Sequence, residues 1–299
     1  MKKELFRFFK MNDVENKADL SLASISPIRI GAEAATVTYP DSEEKLALLV
    51  GFLDKSKIKY KISGRMSNLL PPDKKYDGAV IRTDRLNNYS INSCILTVCC
   101  GMTLPHIARI LQNAGLSGFE GLSGIPGSIG GAIVGNAGAF GRQISDLLLD
   151  VRVYDRSNGY FYSLKASDLH FGYRRSFFMH SGLVIASARF KLSPSDPLSI
   201  KIEMDRCREI RKNTQPTDKP SLGSCFKRPR GDLAAAWLID KCGLKGYRIG
   251  GAQISEKHAG FIVNSGGATA SDYIALLDYA AKKVYEEYEI SLEREVEIM

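Results

Sequence analysis

The sequence predicts an α+β protein of two or three domains, and three observations carry that expectation. At 299 residues, 44% hydrophobic and 25% charged, the chain can bury a sizeable core shared among domains. Runs with the period of a strand and runs with the period of a helix are interleaved along it. A proline- and serine-rich break, "SPSDP" at residues 193–197, reads as a linker between a β-rich stretch and one richer in helices.

The elements follow in chain order. Residues 31–64 read as an α/β unit: "AATVTY" is strand-like, Asp41 or Ser42 caps the helix "EEKLALLVGFLDKS", and "IKYKISG" returns as a strand into Gly64. The basic run "KSKIKYK" (55–61) alternates like a strand with one charged face. Short β runs, "GAVIRT" and "CILTVCCG", lead to the helix "TLPHIARILQNAG", with Thr103 as cap, Pro105 in the first turn and Gly115 as stop. Strands "LLLDVRVYD", "YFYSLK" and "GLVIASARFKL" come next. Beyond the linker, "IKIEMDRCREIRKN" and "DLAAAWLIDKCG" read as helices, the second capped by Asp232 and ended by Gly243. A last helix over 271–288 carries Ile274, Leu277, Ala281, Val284 and Tyr288 on one stripe, and "ISLEREVEIM" alternates as a half-buried strand.

Composition excludes several function classes. No apolar run approaches the ~20 residues of a membrane span, and Arg7 and Lys10 interrupt the N-terminal apolar residues before a signal-peptide core can form. A cytoplasmic protein is expected. Six cysteines without a C-x-x-C pair and four scattered histidines signal neither a metal site nor a redox dithiol. The net charge of +8 suits either a solvated basic surface or an anionic partner, but no nucleic-acid-binding pattern occurs.

Ten of the 27 glycines fall between Gly115 and Gly141. Each gives up roughly 0.5–1 kcal/mol against alanine in regular structure, so the cluster needs a cause. The glycines recur every third residue from Gly115 to Gly130, yet the intervening apolar residues and the shortness of the run exclude a collagen helix. The chain has no G-x-G, no P-loop and no G-x-S-x-G, which excludes a Rossmann fingerprint, a P-loop NTPase and an α/β-hydrolase elbow. Two uses remain open: bare N–H groups forming a concavity for a pyrophosphate beside a planar ring, or tight turns packed in a core.

At "GIPGSIGGAIVGNAGAFG" (124–141) the sequence resembles the UDP-N-acetylenolpyruvoylglucosamine reductase family, whose signature G-I-P-G-[ST]-x-G-G-A-x-x-x-N-A-G-A-[YF]-G it matches throughout. "FGYRRS" (171–176), "GSCFKRP" (223–229), "LIDKCGLKGYRIGGAQISEKHAGFIVN" (238–264) and "LEREVEIM" (292–299) follow in the family's order, without the C-terminal insertion of its longer class. The resemblance implies a two-part FAD-binding region of the vanillyl-alcohol-oxidase type plus a C-terminal α/β substrate domain. The expected boundaries are 1–78 and 79–195 for the two FAD-binding subdomains and 196–299 for the substrate domain. It implies FAD, held without a covalent link since segment 124–141 contains no histidine or cysteine, and NADPH as co-substrate. The implied reaction reduces a UDP-sugar enolpyruvyl ether for peptidoglycan precursor synthesis, in a monomer that binds neither nucleic acid nor membrane.

Cofactor contacts are implied for Gly124, Ile125, Pro126, Gly127, Ser128, Gly130, Gly131, Asn136, Ala137 and Gly138. They are also implied for the loop Gly64, Arg65, Met66, Ser67 and Asn68. The family's loop reads G-x-G-[ST]-N, so methionine stands at the second glycine; if that position needs φ > 0, Met66 is strained, and Arg65 can compensate by pairing with phosphate. Arg174 of "GYRRS" matches the family's carboxylate clamp, where a guanidinium fork stays charged throughout; Arg175 would point elsewhere. Ser224 matches the proton donor, with Cys225 as the more acidic neighbour. Glu295, in L-E-x-E-V, supports the enolate or relays a proton, unlike Glu293 and Glu297. Tyr173, Gln253, Lys257, His258 and Asn264 are candidate substrate contacts. Two other readings remain: a different flavin oxidoreductase of the same superfamily, and a non-catalytic flavin- or nucleotide-sugar-binding paralogue.

Overall fold

The computed structural model describes residues 2–299. The chain forms two compact units, and neither is a continuous stretch. The first comprises residues 1–18, 36–65 and 77–209; the second comprises 19–35, 66–76 and 210–299. Local pairing explains the second unit: Leu69–Leu70 pairs in parallel with Glu297–Ile298, and the Asn264 amide donates to the Ile28 carbonyl at 3.0 Å.

In the first unit, helix α1 (Lys2–Met11) packs Phe8 against Phe52 of helix α2 (Glu43–Lys55), the rings stacked at 4.2 Å. Ser42 is the cap of α2, its hydroxyl accepting from Lys45 N–H at 3.1 Å. The α2 face Leu46, Leu49, Val50 and Leu53 is buried. Strands Glu33–Tyr39 and Tyr60–Ser63 flank the helix in sequence, but Tyr76–Arg82 lies between them in the sheet and pairs in parallel with the latter. "KSKIKYK" is not one strand: α2 ends at Lys55, Lys57 takes φ +53° to turn the chain, and pairing begins at Tyr60.

A second sheet of this unit is antiparallel, in the order Tyr160–Lys165, Leu148–Asp155, Val184–Lys191, Ile95–Cys99, Tyr89–Asn92. Helix α3 (Leu104–Asn113) buries Leu104, Ile107, Ala108 and Leu111. Thr103 occupies its cap position without a side-chain bond, and Gly115 ends it at φ +66°. The expected linker is anchored: Ser193–Pro194 pairs with Leu116–Ser117, and the Asp196 carboxylate accepts from Ser199 N–H at the start of helix α5 (Pro197–Thr214).

The second unit holds an antiparallel sheet, Ser221–Ser224, Phe261–Asn264, Ala252–Ile254, Arg248–Ile249, and two further helices. Helix α6 (Ala235–Lys241) begins after Asp232, because Arg230 and Leu233 close a turn around that residue; Ala234 takes the cap position. Helix α7 (Ala270–Tyr288) opens on a Thr269/Asp272 capping box. Its buried stripe is Tyr273, Leu276, Leu277, Ala280 and Val284, displaced from the expected one. The last residues are not a regular strand. Glu295 N–H donates to the Cys225 carbonyl at 2.8 Å, Lys227 N–H to the Glu293 carbonyl at 2.9 Å, and ladder pairing is confined to Glu297–Ile298.

Candidate active site

The glycine-rich segment is fixed by the backbone around it. Ser128, 3% exposed, caps a short helix α4 (Ile129–Val134). The Leu104 N–H donates to the Gly127 carbonyl, while Ile129 and Gly130 N–H donate to the Met102 and Cys100 carbonyls at 2.8 Å. A concavity of bare N–H groups is therefore narrower than the composition suggests. Several glycines serve close approach of the chain to itself. A Cβ on Gly64 would overlap the Ser128 hydroxyl, one on Gly130 would lie 3.0 Å from Cys100 Cβ, and one on Gly138 2.8 Å from the Arg142 carbonyl oxygen.

Gly131 differs. It is exposed, and a Cβ there would come no nearer than 3.6 Å to any neighbour. Nothing in the protein itself demands glycine at this point, so bare backbone is left for a planar ring or a phosphate to lie against. The residues present fit the cofactor on that ground.

The other end of the segment positions Arg174. Asn136 is 1% exposed, and its amide nitrogen donates to the Gly172 carbonyl at 2.9 Å and to Gln143 Oε1 at 3.2 Å. The Ser176 hydroxyl donates to the Val134 carbonyl at 2.6 Å. Between these anchors, Gly172 and Arg175 close a tight turn with reciprocal backbone bonds. Arg174 takes φ +50° in that turn, a conformation that costs of order 1–3 kcal/mol and persists only where its surroundings enforce it. Its guanidinium donates to the Gly138 carbonyl at 3.2 Å and lies 5.3 Å from the ring centroid of Tyr173, whereas Arg175 is exposed. The structure thus brings Arg174 together with Asn136 and Gly138. Gly124, Ile125, Pro126 and Ala137 lie on the same segment, Pro126 exposed and the other three half-buried.

The Gly64–Asn68 loop keeps a left-handed residue at its third position. Met66 has φ +55° and is 2% exposed, so the strain expected of methionine there is present. Arg65 is exposed, with its guanidinium 3.6 Å from the Asp84 carboxylate, which also pairs with the buried Arg82 at 2.6 Å. Asp84 carries no local sequence signal, and Ser176, although it closes the "FGYRRS" stretch, shows its anchoring role only in the fold. Ser67 is half-buried, and the Asn68 amide donates to the Glu295 carbonyl at 2.9 Å.

In the second unit Ser224 ends a strand, opposite Phe261, after an irregularity that includes Gly223 at φ +82°. Cys225 is not the exposed acid its type suggests. It is 1% exposed, and burial pushes its thiol up to about 11. Glu293 is engaged by Lys227 at 2.6 Å, and Glu295 sits half-buried beside Cys225. Gln253, 2% exposed, spends its amide on the Gly246 carbonyl and on contacts with Arg248 and Ser265. The Asn264 oxygen accepts from Gly266 and Ala268 N–H, so that side chain braces loops. His258 Nδ1 accepts from Gly260 N–H at 3.2 Å, and burial lowers its pKa. Lys257 is exposed and donates to the Lys212 carbonyl. Among the described residues, no group of three His, Cys, Asp or Glu could hold a metal ion.

Comparison with known proteins agrees with this architecture. Residues 34–165 match the model of an FAD binding domain, and residues 215–299 match that of the UDP-N-acetylenolpyruvoylglucosamine reductase C-terminal domain. The fold and its segments thus define an FAD-dependent oxidoreductase. The chain is 43% identical to UDP-N-acetylenolpyruvoylglucosamine reductase of Streptococcus pneumoniae (strain JJA) over 278 residues, 93% of this chain and 92% of that one. A crystal structure of UDP-N-acetylenolpyruvylglucosamine reductase from Thermus caldophilus superposes with a TM-score of 0.80 at 34% identity, covering 95% of this chain and 98% of that one. The chain belongs to the UDP-N-acetylenolpyruvoylglucosamine reductase family.

Proposed function

We propose that this chain catalyses the NADPH-dependent reduction of UDP-N-acetylglucosamine enolpyruvate to UDP-N-acetylmuramate, with FAD as its resident cofactor. The observation that carries it is family-level identity across 93% of the chain, within which the Arg174, Ser224 and Glu295 motifs all occur in order.

Gly131 and its neighbours, with the Gly64–Asn68 loop, would hold the FAD, which when bound relays a hydride from NADPH to the terminal alkene carbon of the enolpyruvyl group. Negative charge then develops on the substrate carboxylate as an enolate. Arg174 clamps that carboxylate with its guanidinium fork, already oriented by its bond to the Gly138 carbonyl. Ser224 donates its hydroxyl proton to the carbon beside the carboxylate. Glu295 supports that transfer, directly or through water. Exposed Tyr173 and Lys257 contact substrate, while Gln253, His258 and Asn264 act through the loops they brace.

The altered loop favours no binding-only paralogue, since Met66 keeps the left-handed backbone that the family's glycine supplies. The six cysteines are free thiols, which suits the reducing cytoplasm this activity implies; a monomeric state goes with it and is checked by sedimentation. The decisive test is NADPH oxidation by the yellow holoprotein with and without UDP-N-acetylglucosamine enolpyruvate. Stoichiometric oxidation dependent on the enolpyruvyl compound is expected. Oxidation indifferent to it would overturn the assignment.

A further inference from the structure

Cys225 meets four groups at once. Its N–H donates to the Gly260 carbonyl at 2.8 Å, and its carbonyl accepts from Glu295 N–H at 2.8 Å. Its sulfur accepts from Ile262 N–H at 3.2 Å and lies 3.3 Å from the hydroxyl of Tyr273. Tyr273, on α7, is fully buried. Cys225 lies in the bend that ends the Ser221–Ser224 strand, so anchoring its sulfur against α7 and its two peptide groups to Gly260 and Glu295 fixes the chain directly after Ser224. The same residue fixes the backbone of Glu295. Ser224 follows a strand irregularity and a left-handed glycine, so regular pairing on that side does little to set its direction.

We propose that Cys225 and Tyr273 form a positioning pair that aligns Ser224 and Glu295 for proton delivery, a role resting on the assignment of Ser224 as donor. Neither residue touches substrate. Their effect falls on the half-reaction that consumes a proton, and a displacement of order 1 Å at the donor can slow such a step by up to about a hundredfold.

Stopped-flow absorbance of the flavin tests this with holoprotein variants. In Cys225→Ala and Tyr273→Phe, reduction by NADPH should stay within about twofold of wild type while reoxidation by the enolpyruvyl substrate slows roughly tenfold or more. Cys225→Ser should recover part of the loss. In a Ser224→Ala background, Cys225→Ala should slow reoxidation far less than it does alone, because the donor that it aligns is gone and only Glu295 remains to be displaced. Tyr273→Phe keeps the buried ring, so a Cys225 variant that misfolds leaves the test standing. Equal slowing of both half-reactions, or a loss that adds in full to that of Ser224→Ala, would reduce the pair to a structural contact and overturn the proposal. If Ser224→Ala slows reoxidation while both pair variants leave it intact, the pair alone is wrong. If Ser224→Ala leaves reoxidation intact, the donor assignment falls and the pair's role with it.

Discussion

Restoring glycine at position 66 should destabilise the protein, although it removes strain. Met66 combines φ +55° with 2% exposure, so two effects oppose each other in Met66→Gly. Relief of a single left-handed non-glycine residue contributes about 1–2 kcal/mol. The extra freedom of glycine in the unfolded chain takes back roughly 0.4–1 kcal/mol. Deleting a buried methionine side chain costs about 2–5 kcal/mol, so the three contributions leave a net loss of roughly 0.4–5 kcal/mol. Met66→Ala loses nearly as much burial and keeps the strain, so it should be less stable than Met66→Gly by about 1 kcal/mol. Calorimetry of the three proteins, each saturated with FAD, gives the order: wild type highest in Tm, glycine variant lower, alanine variant lowest. A glycine variant more stable than wild type would mean that the Met66 side chain contributes less than its backbone costs. An alanine variant at least as stable as the glycine one would mean that the position is unstrained.

Other tests address individual side chains. Arg65→Ala should weaken FAD binding about tenfold or more in apoprotein titration, since a charge-assisted hydrogen bond to phosphate contributes roughly 1.5–3 kcal/mol; its half-exposed pairing with Asp84 contributes little to stability, so the Tm of the apoprotein should hardly move. Unchanged FAD affinity would remove Arg65 from the cofactor site. Glu295→Gln should lower turnover strongly while Glu293→Gln, which releases only an exposed pairing with Lys227, stays near wild type; equal effects would return Glu295 to the ordinary surface. His258 has its pKa lowered by burial from 6.5, so its contribution is intact above about pH 6.5 and is lost as pH falls below it, where the unfolded chain takes up the proton first. His258→Asn, which retains an acceptor for Gly260 N–H, should flatten that acid limb in urea unfolding, and an unchanged slope would assign the limb elsewhere.

What could be read from the sequence was local. Ser42 before "EEKLALLV" and Gly115 after "ILQNA" mark helix ends through bonds and dihedrals made within a few residues, and both hold. Non-local pairing was not legible. Nothing in "SPSDP" announces that Ser193–Pro194 will pair with Leu116–Ser117, or that the chain's last residues will lie against Cys225 rather than continue as a ladder. In α7, tyrosines and alanines on several faces let the period fit two stripes one residue apart, and only packing chose Tyr273 and Leu276. Asp232 looked like a cap because its type is right, yet a turn two residues wide claimed it. The glycine segment was found by its density, but density cannot distinguish glycines that admit the chain itself, such as Gly130 and Gly138, from one that leaves backbone bare, such as Gly131.

Backbone strain combined with burial picks out residues of the proposed site. Among the described residues, eleven non-glycines take positive φ. Asp13, Asp19, Arg29, Lys57, Ser93, Phe140, His170 and Glu289 are exposed, where a turn can relax against water. The other three, Met66, Asn136 and Arg174, are buried or half-buried, and each lies in one of the segments proposed above to hold the cofactor or the substrate carboxylate. Asparagine tolerates the left-handed region readily, so Asn136 stores little strain; methionine and arginine do not. Both need neighbours that over-determine them. Arg174 has the closed Gly172–Arg175 turn, the Asn136 bond to Gly172 and its own bond to Gly138. Met66 has a side chain sealed from solvent. A strained residue held this firmly starts in its working orientation and loses little freedom when substrate or cofactor arrives, which is how a fixed guanidinium can favour an enolate over a carboxylate.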